Sequence, residues 1–152
     1  MNSRSAPTIE VRNLQRKVRV NVVDLERFAE DAVLRCLRLP KQSITDLERL
    51  AEVSVLLVSD RRMAALHRRF MKERGPTDVI TFQHGEIFIG VETAVRNARR
   101  FKNDLGSELQ LYIVHGLLHL HGFDDEDETN TKRMRWAEKK ILSHARDFAS
   151  SR

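Results

Sequence analysis

An apolar run from Leu111 to Leu120 constrains this chain most, because it carries two histidines in an otherwise largely apolar segment. A run that is apolar nearly all round is typical of a buried helix. His115 and His119 lie four residues apart, so on a helix they project from one face, one turn apart. Two imidazoles placed in this way can bind one metal ion.

The residues after the second histidine extend this pattern. Gly122 can take the left-handed conformation that ends a helix and turns the chain back. Asp125 follows three residues later, where the reversed chain can bring its carboxylate under the imidazoles. We predict that His115, His119 and Asp125 bind one zinc ion (Zn²⁺), which accepts nitrogen and carboxylate ligands and keeps an open position in catalytic sites. His121 points off the face of the two histidines if the helix continues through it, and we do not expect it to ligate.

The spacing H-x3-H-x2-G-x2-D matches the metzincin peptidase pattern in its two histidines and its glycine. Those enzymes have a glutamate, the general base, directly after the first histidine. This chain has Gly116 there, which argues against a peptidase. A histidine pair alone could also be two partly buried helix residues bonded to backbone groups, but the glycine and the following acid favour metal binding.

Length and composition indicate an ordinary globular protein. A chain of 152 residues with 41% hydrophobic and 32% charged residues has the size and balance of one domain with one core. We expect a single metallohydrolase-like domain over residues 1–152, with residues 1–7 mobile. The single cysteine, Cys36, excludes an internal disulfide and fits a reducing, cytoplasmic setting. No apolar run approaches the roughly 20 residues of a membrane-spanning helix, so we expect no membrane partner.

The balance of charge favours a polyanionic partner. The formal net charge is +5, which indicates nucleic acid before membrane. One basic segment lies just before the sequence P-T-D-V. The predicted RNA-binding residues lie in this segment: Arg61, Arg68, Arg69 and Lys72. The alternative for such a segment is a solvated helix face. One Trp and one Tyr argue against extensive aromatic stacking on bases.

Hydrophobic periodicity predicts four strands with interspersed helices. Together they should form a single mixed four-stranded sheet covered by about five helices, with the metal-binding helix packed on the sheet. The predicted strands are a short one at Ile9–Val11, then Glu52–Ser59, Asp78–Phe82 and Glu86–Ile89. The predicted helices are one capped by Asp24, one capped by Ser59 or Asp60, one at roughly Glu92–Phe101, the metal helix starting at Asp104–Ser107, and a long final helix. The helix capped by Ser59 or Asp60 is expected to carry Met63, Leu66 and Phe70 on its apolar face.

The metal stretch and the strand pair together resemble one family. H-G-L-L-H-L-H-G-F-D, preceded by P-T-D-V-I-T-F and G-E-I-F-I, looks like the YbeY family of bacterial metallo-endoribonucleases. The resemblance covers roughly Glu52 to the final helix. It implies an α+β fold, one zinc ion held by three side chains, and cleavage of single-stranded RNA. It also implies a role in maturing the 3′ end of 16S ribosomal RNA and in ribosome quality control, with ribosomal RNA and the ribosome as partners.

Two positions depart from the family's pattern. The family usually has a third histidine where this chain has Asp125, and it tends to have arginine where this chain has Met71. Lys72 is the nearest replacement cation and the one catalytic candidate that the sequence suggests. For the nucleophile, both an activated water and the substrate's own 2′-OH stay open. A non-catalytic RNA-binding module with structural zinc is the remaining alternative, although structural sites usually have four ligands.

Overall fold

This computed structural model describes residues 5–40, 43–71 and 78–150, with side chains described through Ser143 except that of Met71. Lys72 lies outside the described residues, so the predictions that rest on it stay predictions. At the N-terminal end, Ala6 packs against the core and Pro7 is buried.

Four strands form one mixed sheet, as predicted: β1 Thr8–Asn13, β2 Glu52–Val58, β3 Val79–Phe82 and β4 Glu86–Gly90. Their spatial order is β1-β2-β4-β3. β2 pairs in parallel with β1 and β4, and β3 pairs antiparallel with β4. The β3–β4 turn requires Gly85, whose φ is +105° and whose Cβ would lie 2.8 Å from the carbonyl oxygen of Glu52. This topology puts β3 at an edge of the described sheet.

Six helices are described: α1 Val22–Leu37, α2 Asp46–Arg49, α3 Asp60–Met71, α4 Val91–Arg100, α5 Leu105–Leu120 and α6 Glu128–Ser150. The one that the sequence analysis did not anticipate is α2, a single turn closed by a reciprocal capping box between Thr45 and Glu48. The N-cap of α1 is Asn21, whose side chain accepts a hydrogen bond from the backbone of Asp24, so Asp24 is not the cap. Among the described residues, no helix combines the length and apolar character that crossing a bilayer requires.

The two faces of the sheet carry different helices. Helices α1, α5 and α6 share one core with the side chains of Ile87 and Ile89, whereas Met63 of α3 packs with Phe88 on the other face. The metal helix and the arginine-rich helix α3 therefore lie on opposite faces. Phe70, expected on the apolar face of α3, is 51% exposed. Phe70 does lie on that face, in the last turn of α3, where its ring meets the partly buried ring of Phe82 and stays half exposed.

Cys36 is a core residue of α1. Its side chain is fully buried, and burial raises the pKa of the thiol to about 12. A thiol that stays protonated at neutral pH behaves as a small apolar group.

Gly116 sets how closely α5 approaches the sheet. A Cβ built on Gly116 would lie 2.7 Å from Cγ2 and 2.9 Å from Cδ1 of Ile87, which is fully buried on β4. A side chain at position 116 would therefore have to displace the helix from the sheet or Ile87 from the core.

We expect Gly116→Ala to destabilise the protein by up to about 2 kcal/mol. Overpacking a core costs about 1–3 kcal/mol, and the better helix propensity of alanine offsets about 1 kcal/mol of that. Denaturant unfolding measures the change. The penalty should shrink in an Ile87→Ala background, where the clashing atoms are gone. An equal penalty in both backgrounds would show that the Gly116–Ile87 contact is not its cause.

Candidate metal centre

Helix α5 brings its two histidines together beside the edge strand β3. The helix begins at the N-cap Asp104, whose carboxylate accepts a hydrogen bond from the backbone of Ser107. Eleven residues later, the i, i+4 spacing places the Nε2 atoms of His115 and His119 3.0 Å apart. Their side chains are 26% and 30% exposed, so each ring is held in the protein but reaches the surface.

The C-terminal turn of α5 reverses the chain. Gly122 has a φ of +91°, as the sequence predicted for a helix-ending glycine. Its N–H donates to the carbonyl of His119 (3.1 Å), and the N–H of Phe123 donates to the carbonyl of Leu118 (2.9 Å). These two bonds form a Schellman motif, which satisfies carbonyls at the helix end and sends the chain back beneath α5.

The reversed chain places Asp125 beside both imidazoles. Its carboxylate oxygens lie 3.7 Å from Nε2 of His115 and 3.9 Å from Nε2 of His119. One ligand atom from each of the three residues lies within 4.8 Å of the others, a grouping that could hold a metal ion. The hydroxyl of Thr131 donates to the backbone carbonyl of Asp125 (3.3 Å), which ties the turn to the start of α6. All three predicted ligands thus meet at one point.

Two nearby polar residues point elsewhere. His121 is 2% exposed, and its Nδ1 lies 3.0 Å from the hydroxyl of Thr45, the N-cap of α2. The carboxylate of Asp124 accepts a hydrogen bond from the backbone of Glu126 (3.1 Å). His121 therefore braces α2 against the end of α5, and Asp124 shapes the turn.

Each histidine contacts a further group that orients its ring so that Nε2 faces the other two candidate ligands. Glu138, on α6, places Oε1 3.8 Å from Nδ1 of His115, and the ring of His119 hydrogen-bonds the backbone of Phe123. Carboxylates and carbonyls behind ligating histidines hold the outer ring nitrogen protonated, which leaves Nε2 as a lone pair. Two lone pairs 3.0 Å apart repel each other unless a proton or a metal ion lies between them. The donor set therefore fits a metal ion.

The same contacts separate the pKa values of the two histidines. Burial disfavours the charged form of His115, but Glu138, Asp125 and Asp78 outweigh it and raise its pKa above the usual value. For His119, burial and the neighbouring His115 lower the pKa. In the metal-free protein, a proton therefore binds His115 first, and a metal must displace it.

Glu138 is a neighbour of the candidate site that the sequence analysis missed. Its side chain is 13% exposed, unusually low for a carboxylate, and it lies on the last helix, 23 residues beyond His115. No local spacing links the two positions. The only available signal was a charged residue next to Ala137 in the apolar stripe of α6.

A cleft of about 440 Å³ opens over the three ligands. Its other described lining residues come from α2, from the C-terminal end of α5 and from the β3 edge: Asp46, Leu120, Asp78, Val79, Ile80, Thr81 and Gln83. Among the described residues that line it, none is lysine or arginine. Three aspartates thus make the described wall acidic, and a divalent cation would offset part of that charge.

The predicted RNA-binding residues lie apart from this cleft. Arg61, Arg68 and Arg69 are exposed on α3, across the sheet from α5. None of the three lines the cleft, and Lys72 lies outside the described residues.

The fold and the cluster define a class: an α+β protein with a candidate three-ligand metal site, on one helix and the turn that ends it. A family model described as Endoribonuclease YbeY matches residues 10–146. The chain therefore belongs to the YbeY family, as the sequence resemblance indicated.

Curated relatives carry the same description. Endoribonuclease YbeY of an Anaeromyxobacter species is 40% identical over 93 residues, which cover 55% of this chain and 48% of the relative. Endoribonuclease YbeY of Syntrophus aciditrophicus is 31% identical over 137 residues, covering 82% and 79%. The chain spans about half the length of the first relatives that it matches, 48% in two of them.

A solved structure supports the fold independently. The solution structure of TM1509 from Thermotoga maritima matches with a TM-score of 0.60 at 24% identity and covers 95% of both chains. At that identity the likeness establishes the architecture alone.

We expect Asp125→Ala to weaken zinc binding by more than about 100-fold, because it removes a direct ligand, and loss of outer-shell partners alone costs about 10–100-fold. Zinc affinity, measured by competition with a chromogenic chelator, tests this. Asp124→Ala is the matched control, since it removes the adjacent carboxylate. Its effect should stay below about tenfold. Equal effects of the two variants would mean that Asp125 is not a ligand.

Glu138→Gln should weaken zinc binding by about 10–100-fold near pH 8, because His115 loses the carboxylate that orients it. The variant should also lower the pKa of His115, so protons compete less in acid. The difference between parent and variant should therefore narrow as pH falls towards about 5.5. Zinc titrations across that range measure it.

Glu128→Gln is the control on the same helix, since the side chain of Glu128 is 87% exposed and pairs with Lys132. Identical zinc affinities of the parent and Glu138→Gln at every pH would exclude a positioning role for Glu138.

Proposed function

We propose that this protein is a zinc-dependent endoribonuclease that cleaves single-stranded RNA. The observation that carries the proposal is the convergence of His115, His119 and Asp125 at an open cleft. Three protein ligands beside accessible space are typical of catalytic zinc. Membership of a family described as endoribonucleases supports the reaction class.

The charge of the cleft supports a metal-dependent reaction. Asp46, Asp78 and Asp125 line it, so the described wall alone would repel a phosphodiester. When bound, zinc would supply Lewis-acid polarisation of a phosphoryl oxygen and activation of a water molecule. The protein's part is to hold the ligands: α5 fixes the two imidazoles, the Gly122 turn presents the carboxylate, and Glu138 orients His115.

The packing of Gly116 disfavours the alternative of a peptidase. A glutamate base at that position would need a Cβ where Ile87 already lies, 2.7 Å away. A side chain at position 116 would have to displace the helix from the sheet or Ile87 from the core. The described chain therefore has no room for the base that the metzincin pattern uses at this position.

The proposed physiological substrate is ribosomal RNA. We place the activity in the cytoplasm, at the 3′ end of 16S ribosomal RNA and in ribosome quality control, on the ground of family membership. The exposed residues Arg61, Arg68 and Arg69 are proposed to bind backbone phosphates outside the cleft, which would make affinity strongly salt-dependent. Lys72 is proposed as a further cation near the reacting phosphate.

Zinc-loaded protein should cleave a single-stranded RNA oligonucleotide slowly, spare the same sequence in a duplex, and leave casein intact. A chelator should abolish cleavage, because the cleft depends on the ion to attract a phosphate. Gel analysis of end-labelled RNA and release of labelled casein peptides measure the two activities.

The control is His115→Ala, purified in parallel, which should lose cleavage by at least about 100-fold. Cleavage that survives in this variant would come from a contaminating nuclease. Chelator-sensitive casein hydrolysis without RNA cleavage would favour the peptidase. RNA binding without cleavage under any divalent metal would favour a module with structural zinc.

A further inference from the structure

Three rings form a chain at the turn between β3 and β4. The imidazole of His84 stacks on Phe82, with ring centroids 5.5 Å apart and planes 18° apart. The ring of Phe70, from the end of α3, meets the edge of Phe82 at 5.2 Å. On its inner side Phe82 contacts Phe88, 5.8 Å away, which anchors it to the core beneath α3.

The two outer rings, those of His84 and Phe70, are exposed to solvent. The side chain of His84 is 65% exposed, and Phe70 is 51% exposed. Nε2 of His84 contacts the carboxylate of Glu86, an in-plane interaction that uses the edge of the ring and leaves its faces free. Phe82 covers one face. The partly fixed ring therefore presents its other face as a flat, preorganised surface.

This surface borders the metal cleft across the edge of the sheet. Side chains alternate between the two faces of a strand, so neighbouring residues point to opposite sides. Thr81 and Gln83 line the cleft, whereas Phe82 packs on the α3 face. Gln83 lies directly between Phe82 and His84 in the sequence, so the cleft and the rings are one residue apart along the turn. A flexible chain that leaves the cleft over this short edge strand meets the rings next.

Cations flank the same surface. The guanidinium of Arg69 lies 5.2 Å from the ring centroid of Phe70, and Arg68 is exposed beside it. Stacking rings together with arginines suit one class of ligand, single-stranded nucleic acid, whose bases stack and whose phosphates carry charge. An apolar peptide would use the rings but not the cations.

We propose that Phe70, Phe82 and His84 form a stacking platform for a base of the RNA strand that leaves the metal cleft. This inference rests on the proposed RNA substrate and adds a second contact to it. Stacking accepts every base because each has a π face, so the platform would favour unpaired RNA without selecting a sequence. It would exclude duplexes, whose bases are already stacked on one another. The sequence analysis argued against extensive base stacking because it counted only one Trp and one Tyr. The rings of this platform belong to histidine and phenylalanine.

The test uses a ten-nucleotide single-stranded RNA that carries 2-aminopurine at one position at a time. Zinc-loaded protein is mixed with it in a stopped-flow instrument, and emission is recorded before cleavage. Stacking on a protein ring should change emission for one or two label positions in the parent. His84→Ala should abolish that change and weaken binding by about 5- to 150-fold, the range expected for one stacked base.

Two further variants separate stacking from other effects. His84→Phe keeps a flat ring but cannot bond Glu86, and it should restore binding to within about threefold. Phe101→Ala is the matched control: Phe101 is 64% exposed, and the guanidinium of Arg100 lies 5.4 Å from its ring centroid, as Arg69 does for Phe70. It should bind RNA like the parent.

The outcomes distinguish the platform from the proposed function. If the parent cleaves RNA but His84→Ala binds it equally well with the same emission change, the platform is wrong and the nuclease stands. Equal weakening by His84→Ala and Phe101→Ala, or no rescue by His84→Phe, also overturns it. A parent that neither binds nor cleaves RNA defeats both.

Discussion

The contact between Gly116 and Ile87 sets the geometry on which the candidate metal centre depends. It lets α5 lie close against β4. The positions of His115 and His119, which flank Gly116 in the helix, depend on that close approach. A wider separation would lift His115 and His119 away from the β3 edge that forms the wall of the cleft. The same glycine leaves no space for a peptidase base and lets the two histidines lie close to the sheet. Packing and chemistry therefore both require a residue without a side chain at position 116.

The candidate ligand cluster is assembled mostly by local structure, and for that reason the sequence could predict the grouping. His115 and His119 are related by one helical turn, and Asp125 by a glycine turn of defined hydrogen bonding. Each step spans a few residues, so residue type and spacing carry the information. The four strands were equally predictable, because runs such as Glu52–Val58 first alternate between polar and apolar residues and then become continuously apolar.

What the sequence could not predict depends on contacts between distant elements. Glu138 reaches His115 only because α6 packs against α5, and Asp46 enters the cleft wall only because α2 sits beside the end of α5. Phe70 fits the apolar period of α3, but its exposure depends on how far the helix extends beyond its neighbours, which no period encodes. The separation of α3 from α5 by the sheet is likewise a matter of topology.

The burial of Cys36 makes its thiol a probe of unfolding. A protonated thiol sealed in the core beneath α1 reacts with alkylating reagents only when that core opens. Since it is the chain's single cysteine, each labelling event reports one defined opening. It lies on α1, apart from the candidate ligands on α5 and in the turn that follows. Its labelling rate therefore distinguishes substitutions that would only empty the candidate metal site from those that loosen the whole fold.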